Sequence, residues 1–309
     1  MKVTVIVGTR PELIKMCPVI RELENEGLDY FILHTGQHYS YNMDEIFFRE
    51  LDIPRPRYNL NVGSGSHAEE TGKMLIGIEK VLKKENPSVV LVEGDTNTVL
   101  AGALAATKLK ISVGHVEAGL RSYDRSMPEE TNRVITDHIS DLLFAPTEKS
   151  KQNLIREGVS ETKIFVTGNT IVDALMQNLK YAEEKSDILG KLRIDDRKYF
   201  LVTAHREENV DNVKRLSGIL NGLKLIHEEF NLPIIFSIHP RTMKRVKEFN
   251  LSFNGLTLIE PLGYFDFLKL ESKAKLILTD SGGIQEEACV LKVPCVTLRY
   301  NTERPETLD

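Results

Sequence analysis

Apolar residues fall into short, β-branched runs: "VTVIV", "FIL", "SVVLV", "ISVGHV", "LLFA" and "IFV", then "YFLVTA", "PIIFSI", "LTLI", "LILT" and "PCVTL", with helix-period stretches between them. Apolarity within each run is continuous rather than alternating, as in strands covered on both faces, which predicts parallel α/β sheets. The two series are separated by "IVDALMQNLKYAEEKSDILGKLRIDDRKY", amphipathic and then highly charged, so a domain boundary is expected near Asn169, between residues 1–169 and 170–309. No internal repeat or low-complexity tract interrupts this order. After the last run the chain reads "RYNTERPETLD", which leaves the final βα unit without its helix. The native protein is therefore expected to continue further, or this chain to have been shortened.

Nearly every unusual polar cluster directly follows a strand: "GTRPE", "EGDTN", "HVEAGLR", "HREEN", "HPRT" and "DSGG". Ligands of open parallel sheets bind at the carboxyl ends of the strands. The sequence thus predicts two domains whose carboxyl edges line one cleft.

In "GTRPELIK", Gly8 permits a tight turn and Pro11 suits the first helical position. Arg10 then stands at a positive helix N-terminus with Lys15 about one turn further on; an anion is one reading, solvated loop charges the other. In "LILTDSGGIQEEA", Ser281, Gly282 and Gly283 offer a hydroxyl and uncrowded N–H groups at a helix start, a ready anion site. Glu286 and Glu287 either complement the helix dipole or reach past a diphosphate to ribose hydroxyls. Asp95, Glu117 and Glu129 gather on the N-terminal side. Each could cap a helix, but grouped acids suit proton transfer, because repulsion and desolvation raise the pKa of some members. His205 follows a strand beside Arg206, a better place for chemistry than most histidines have, whereas His115 inside "VGHVEAG" reads as core or support.

Composition narrows the field. The chain has 309 residues, enough for two domains, with a formal charge of −5 and 28% charged residues, an ordinary soluble surface that does not suggest nucleic-acid binding. The three cysteines, Cys17, Cys289 and Cys295, lack metal-ligand spacing and read as buried, reduced thiols of a cytoplasmic protein. The N-terminal apolar run is too short for a signal peptide or membrane span. No G-x-x-x-x-G-K-[ST] is present, which disfavours NTP hydrolysis. "GSGSHA" at residues 63–68 matches a dinucleotide fingerprint only formally, Tyr181 and Lys185 form a Y-x-x-x-K pair far from any strand end, and His34 and His38 straddle a strand end in a poor metal geometry. No metal site and no D-x-D sugar-transferase motif is expected.

Together "GTRPELIKMCP", "GDTNTVLAGALAA", "HVEAGLRS", "PEETNR", "FAPTEKSKQNLIREG", "VTGNTIVDAL", "LTDSGGIQEEA" and "TERPE" resemble the non-hydrolysing UDP-N-acetylglucosamine 2-epimerases along the whole chain. The resemblance implies two Rossmann-like domains in the glycosyltransferase-B arrangement, a homodimer, and interconversion of UDP-N-acetylglucosamine and UDP-N-acetylmannosamine without a nicotinamide or other cofactor. UDP is eliminated to give a 2-acetamidoglucal, then re-added at C1 while a proton reaches the other face of C2. Arg10, His205, Ser281, Gly282 and Gly283 match family positions around the departing diphosphate, with Glu287 on ribose, Phe267 on uracil and Arg304 also in the nucleotide site. Asp95, Glu117 and Glu129 match the acidic cluster that handles the C2 proton, and Lys15 and Arg133 look like its support. Two departures stand out. Family members continue past "TERPE" into helices that cross back to the first domain, and the loop after Gln37-His38 lacks the basic, glutamine-containing sequence of members activated by their own substrate. A hydrolysing 2-epimerase, a glycosyltransferase and a non-catalytic nucleotide-sugar sensor remain as alternatives.

Overall fold

The computed structural model describes residues 1–36, 48–300, 302 and 307. The chain divides into two compact units, Met1–Ala174 and Leu175–Asp309. In the first, strands β1 (Lys2–Val7), β2 (Asp29–His34), β3 (Tyr58–Asn59), β4 (Val89–Glu93), β5 (Ser112–Val116), β6 (Leu142–Ala145) and β7 (Ile164–Val166) form one sheet in the order β3-β2-β1-β4-β5-β6-β7. Every pairing in it is parallel. The connecting helices are α1 (Arg10–Asn25), α2 (His67–Glu85), α3 (Asn97–Lys108), α4 (Pro128–Ile139) and α5 (Glu148–Arg156). Helix α6 (Thr170–Lys185) carries the division between the units.

The second unit holds α7 (Ile188–Leu192), β8 (Phe200–Thr203), α8 (Glu207–Val210), α9 (Val213–Phe230), β9 (Ile234–Ser237), α10 (Pro240–Glu248), β10 (Leu256–Ile259), α11 (Tyr264–Lys273), β11 (Leu276–Thr279), α12 (Gly282–Val290) and β12 (Cys295–Thr297). Its sheet runs β10-β9-β8-β11-β12, again all parallel. Both sheets reverse their winding once, between β1 and β4 and between β8 and β11, which is the Rossmann-like order.

Continuous apolar runs make these strands because both faces must be covered. Ile6, Leu33, Val90, Val92 and Val113 are buried against Met74, Ile78 and Leu82 of α2 and Val99, Ala103 and Ala106 of α3. Each Val, Ile or Leu so covered contributes about 1.5–3 kcal/mol. In the second unit Phe200, Val202, Ile234, Phe236 and Leu278 pack with Leu216, Leu220 and Leu223 of α9, while Tyr199, Leu201, Ile235 and Ile277 face Leu270 of α11 and Ala288 of α12.

Strand β3 was not legible, since two residues inside "RPRYNLNV" carry no period. "GSGSHA" is a helix start: Ser66 caps α2, accepting from Glu69 N, while Glu69 reaches back to Ser66 N at 3.1 Å. Lys185 lies over the Tyr181 ring at 4.9 Å, a cation–π contact on a helix surface. All three cysteines are free thiols, but only Cys17 is buried; Cys289 is exposed on α12 and Cys295 is intermediate. Among the described residues no helix is long and apolar enough to cross a membrane.

Candidate functional site

Strand β1 ends at Val7 and α1 begins at Arg10, so Gly8 and Thr9 alone make the turn. Gly8 is required by close approach rather than by its φ. A Cβ there would stand 2.1 Å from Thr98 Oγ1 and 2.2 Å from Thr35 Oγ1, two hydroxyls hydrogen-bonded at 2.8 Å. Arg10 is half-buried at the first helical position, with Pro11 second. Glu12, only 2% exposed, curls back to accept from Gly8 N at 2.5 Å, Thr9 N at 3.0 Å and the Thr96 hydroxyl. Burial pushes its pKa up to about 7 despite these three hydrogen bonds, and Asp95 adds to the rise. One turn on, the buried Lys15 places Nζ 2.5 Å from Glu117 Oε1 and 3.2 Å from Glu93 Oε1.

Glu93 closes β4 and Glu117 follows β5, so the sheet itself sets these two acids side by side. Glu117 adopts a left-handed φ of 71°, which costs a non-glycine residue about 1–2 kcal/mol and is the kind of strain held at working sites. Asp95, two residues past β4, pairs with Arg133 Nη2, while Arg133 Nη1 pairs with Glu130. Asn132 donates to the Asp95 carbonyl at 2.9 Å. Glu130 also accepts from Ser122 N at 3.0 Å, Ser122 Oγ at 2.8 Å and Tyr123 N at 3.0 Å. Burial raises the Glu130 pKa, but these donors and Arg133 outweigh it and hold the group below the usual carboxylate range.

Beneath this layer His115 Nδ1 lies 2.7 Å from Asp137 Oδ1 and its Nε2 2.8 Å from the Gly94 carbonyl. Asp137 further accepts from Gly119 N at 3.1 Å and pairs with Arg121 Nη1 at 2.7 Å. Burial opposes ionisation of Asp137, yet His115 and Arg121 bring its pKa below the ordinary value. The buried Arg121–Asp137–His115 chain therefore fixes the Gly94 turn that presents Asp95.

In the second unit the fully buried Asp280 binds two loops together. His205 N donates to both its oxygens at 3.1 and 3.0 Å, Arg206 N at 3.0 Å and Asn209 Nδ2 at 3.0 Å. Arg206 Nε returns to the Asp280 carbonyl at 3.0 Å. The His205 ring, with 42% of its side chain accessible, sits 3.4 Å from Asp280 Oδ1. Desolvation lowers its pKa, with Arg206 and Arg241 acting in the same sense and Asp280 against. Ser281 caps α12, its Oγ accepting from Ile284 N at 3.5 Å. Among the described residues the Gly282 and Gly283 N–H groups meet no acceptor, and a Cβ at Gly283 would find only Ser281 Oγ, at 3.8 Å. Packing among the described residues therefore does not demand glycine at 283.

Glu286 and Glu287 lie past the first turn of α12 and are buried, so they are not dipole-complementing surface charges. Glu287 meets Glu271 of α11, which is fully buried; burial first, then Glu287, raises the Glu271 pKa well above the carboxylate range. One turn earlier on α11, Phe267 is half-buried against the apolar cluster of Tyr199, Leu201 and Leu270.

Of the acids named from sequence, Asp95 and Glu117 come to the switch-point edge with Lys15 and Arg133. Glu129 does not join their ion pairs: the buried partner of Arg133 is Glu130, and Glu129 is partly exposed with no ion pair among the described residues. It does head the stripe Glu129, Asn132, Arg133, Asp137 that α4 turns toward the site. Neither Asp95 nor Glu129 is a helix cap; Thr96 caps α3 and Met127 precedes α4. Arg304 and the Gln37-His38 loop lie outside the described residues. Sequence reasoning missed Glu12, Glu93, Glu130 and Asp280 as site residues, each a charged residue inside a quoted motif and within two positions of one that was named.

Comparison with known proteins follows from this geometry. A family model described as UDP-N-acetylglucosamine 2-epimerase matches residues 21–309. The chain is 64% identical over 317 residues to the UDP-N-acetylglucosamine 2-epimerase of Methanocaldococcus jannaschii, covering 100% of this chain and 86% of that protein. In structure it is similar to the crystal structure of that organism's UDP-GlcNAc 2-epimerase in complex with UDP-GlcNAc and UDP, with a TM-score of 0.94, 64% identity, and coverage of 100% of this chain and 86% of that one. It is also similar to the UDP-GlcNAc 2-epimerase of Neisseria meningitidis bound to UDP-GlcNAc, with a TM-score of 0.91, 38% identity, and coverage of 100% and 85%.

Proposed function

The chain belongs to the UDP-N-acetylglucosamine 2-epimerase family, and from that membership we propose that it interconverts UDP-N-acetylglucosamine and UDP-N-acetylmannosamine by the non-hydrolysing route, as a cytoplasmic homodimer. The C2 proton is too weakly acidic to leave first. The C1–O bond therefore breaks with its electron pair going to UDP, and the positive character left at C1 acidifies C2. A carboxylate takes the C2 proton to give the 2-acetamidoglucal. In the return step the diphosphate oxygen attacks C1 while a carboxylic acid protonates the opposite face of C2, so no redox partner enters the balance.

Stabilising the departing diphosphate is the main electrostatic task. Arg10 at the start of α1 and the Gly282 and Gly283 N–H groups at the start of α12 have the chemistry for it, with Ser281 shaping the turn. His205 supplies a hydrogen bond there. Phe267 receives the uracil, Glu287 the ribose hydroxyls, and Arg304 belongs with the nucleotide as the family pattern implies. Asp95, Glu117 and Glu129 handle the C2 proton, steadied by Arg133 and Lys15.

The observation that carries the reading is the cluster of buried acids around Lys15 at the end of β4 and β5, because a nucleotide-binding module has no use for strained, mutually repelling carboxylates. The test is proton NMR of the purified full-length protein with UDP-N-acetylglucosamine in D₂O and no nicotinamide. UDP-N-acetylmannosamine carrying deuterium at C2 is the expected product. Free N-acetylmannosamine with UDP would instead indicate the hydrolysing reaction, and binding without turnover a sensor.

A further inference from the structure

We propose that Glu93 is a positioning residue for the reaction: it holds Lys15 against Glu117 while itself carrying a proton, so that the cluster works with one ammonium, one carboxylate and one neutral carboxylic acid. The inference rests on the reading of Glu117 as an acid that meets C2.

Glu93 is the last residue of β4 and is 2% exposed. Its Oε1 stands 3.2 Å from Lys15 Nζ, an ion-pair contact that steadies the ammonium but, among the described residues, gives that oxygen no well-aligned hydrogen bond. Lys15 commits to Glu117 instead, at 2.5 Å. Every other carboxylate nearby has its own donors. Glu12, facing Glu93 from α1, is held by two backbone N–H groups and the Thr96 hydroxyl. Asp95 has Arg133. On β5, His115 is occupied by Asp137 and the Gly94 carbonyl. Among the described residues two carboxylates thus share the Lys15 ammonium where water is nearly absent, and a net negative charge there is expensive. A proton on one of them removes it, and Glu93, with the fewest donors, is where it costs least. Burial acts in the same direction: it raises the Glu93 pKa well above the ordinary carboxylate range, Glu117 and Glu12 add to the rise, and Lys15 only partly offsets it.

The consequence lies at Glu117. With Glu93 neutral, Lys15 is no longer shared between two anions, Glu93 and Glu117. Once Glu93 ionises, the ammonium is shared between two anions and Glu117 loses its fixed position and its tuned basicity. Turnover should therefore fall on an alkaline limb that belongs to Glu93, although Glu93 meets neither substrate nor nucleotide.

The experiment compares full-length wild type with Glu93→Gln and Glu93→Leu, reading kcat and KM for UDP-N-acetylglucosamine against pH, together with the infrared carbonyl stretch of protonated carboxylic acids. Glu93→Gln keeps a neutral group of the same shape, so kcat at neutral pH should fall by only about threefold, the worth of one altered hydrogen bond. The alkaline limb should move up or vanish, KM should stay close to the wild-type value, and one carboxylic-acid band should be missing from the difference spectrum at neutral pH. Glu93→Leu leaves Lys15 without its second oxygen and should lower kcat by about tenfold or more. An alkaline limb unchanged in Glu93→Gln, or a kcat as low as that of Glu117→Gln, would overturn the proposal. The infrared band decides whether Glu93 holds a proton even in a protein that shows no epimerase activity, so failure of the functional reading and failure of this one are separable.

Discussion

Glu93 and Asp280 occupy equivalent places, one ending β4 and the other following β11, both at a switch-point edge and both buried. They are held in opposite ways. Asp280 collects three N–H donor groups, two from the backbone of the His205–Arg206 turn and one from Asn209, so its position and that of the turn determine each other. Glu93 has only a lysine that prefers Glu117. Backbone donors cannot be withdrawn without unfolding a loop, so the carboxylate they surround serves architecture. A shared ammonium can be redistributed by moving one proton, so the carboxylates around it are suited to the chemistry proposed for them. The second unit thus offers a rigid edge, as the anion site proposed for it requires, and the first an edge whose charge can change.

Breaking the chemical half gives the largest effect. Glu117→Gln keeps shape but removes the carboxylate that Lys15 grips, and kcat should fall by about 10²–10⁴-fold, the worth of a general acid or base. UDP affinity measured by calorimetry should stay near that of wild type. A Glu117→Gln enzyme with near-normal turnover would move the proton-handling role to another acid.

Breaking the architectural half should cost stability first. Asp280→Asn brings an amide N–H₂ against the inward-pointing His205 and Arg206 N–H groups, and the second unit should lose about 3 kcal/mol or more, seen as a lower urea midpoint. Turnover should fall with it, since the His205 turn is released. An unchanged midpoint would mean that the turn is held by other contacts.

The smallest effect sharpens the contrast, through Glu12. Its folded-state pKa of about 7 is raised above the ordinary 4.5, so the group binds protons more readily in the native state. Its contribution is fully present below about pH 4.5 and is lost as pH rises through about 7. Glu12→Gln cannot titrate, and should flatten the stability profile across that window by about 1–3 kcal/mol relative to wild type. Identical slopes for the two proteins in urea denaturation at several pH values would show that Glu12 is ionised throughout.

Much of this was written in local pattern. The doubled βα series, the polar clusters at strand ends and the helix start at Ser281 are short-range features, and they appear where the sequence puts them. The function of individual glycines was less legible. Gly8 was expected for turn flexibility, but it is there because Thr35 and Thr98 meet over it, two residues far apart in the chain. Glu129 shows the same limit at the scale of one residue. "PEETNR" offers two adjacent glutamates, and a single helical step of about 100° decides that Glu130 is buried on Arg133 while Glu129 is left partly exposed at the head of the stripe that faces the site.

The sequence by itself determined that the chain forms two parallel α/β layers and that charge collects at their strand ends, because hydrophobic period and turn chemistry act over a few residues. Only the tertiary structure decided which charges meet. Lys15 reaches Glu117 across 102 positions because β1, β4 and β5 are neighbours in the sheet, and Asp280 reaches His205 across 75 because β8 and β11 are. Strand order is set by the packing of whole layers, and no local segment carries it. The proton balance of the acidic edge follows from that order, since it depends on how many carboxylates the sheet brings to a single lysine.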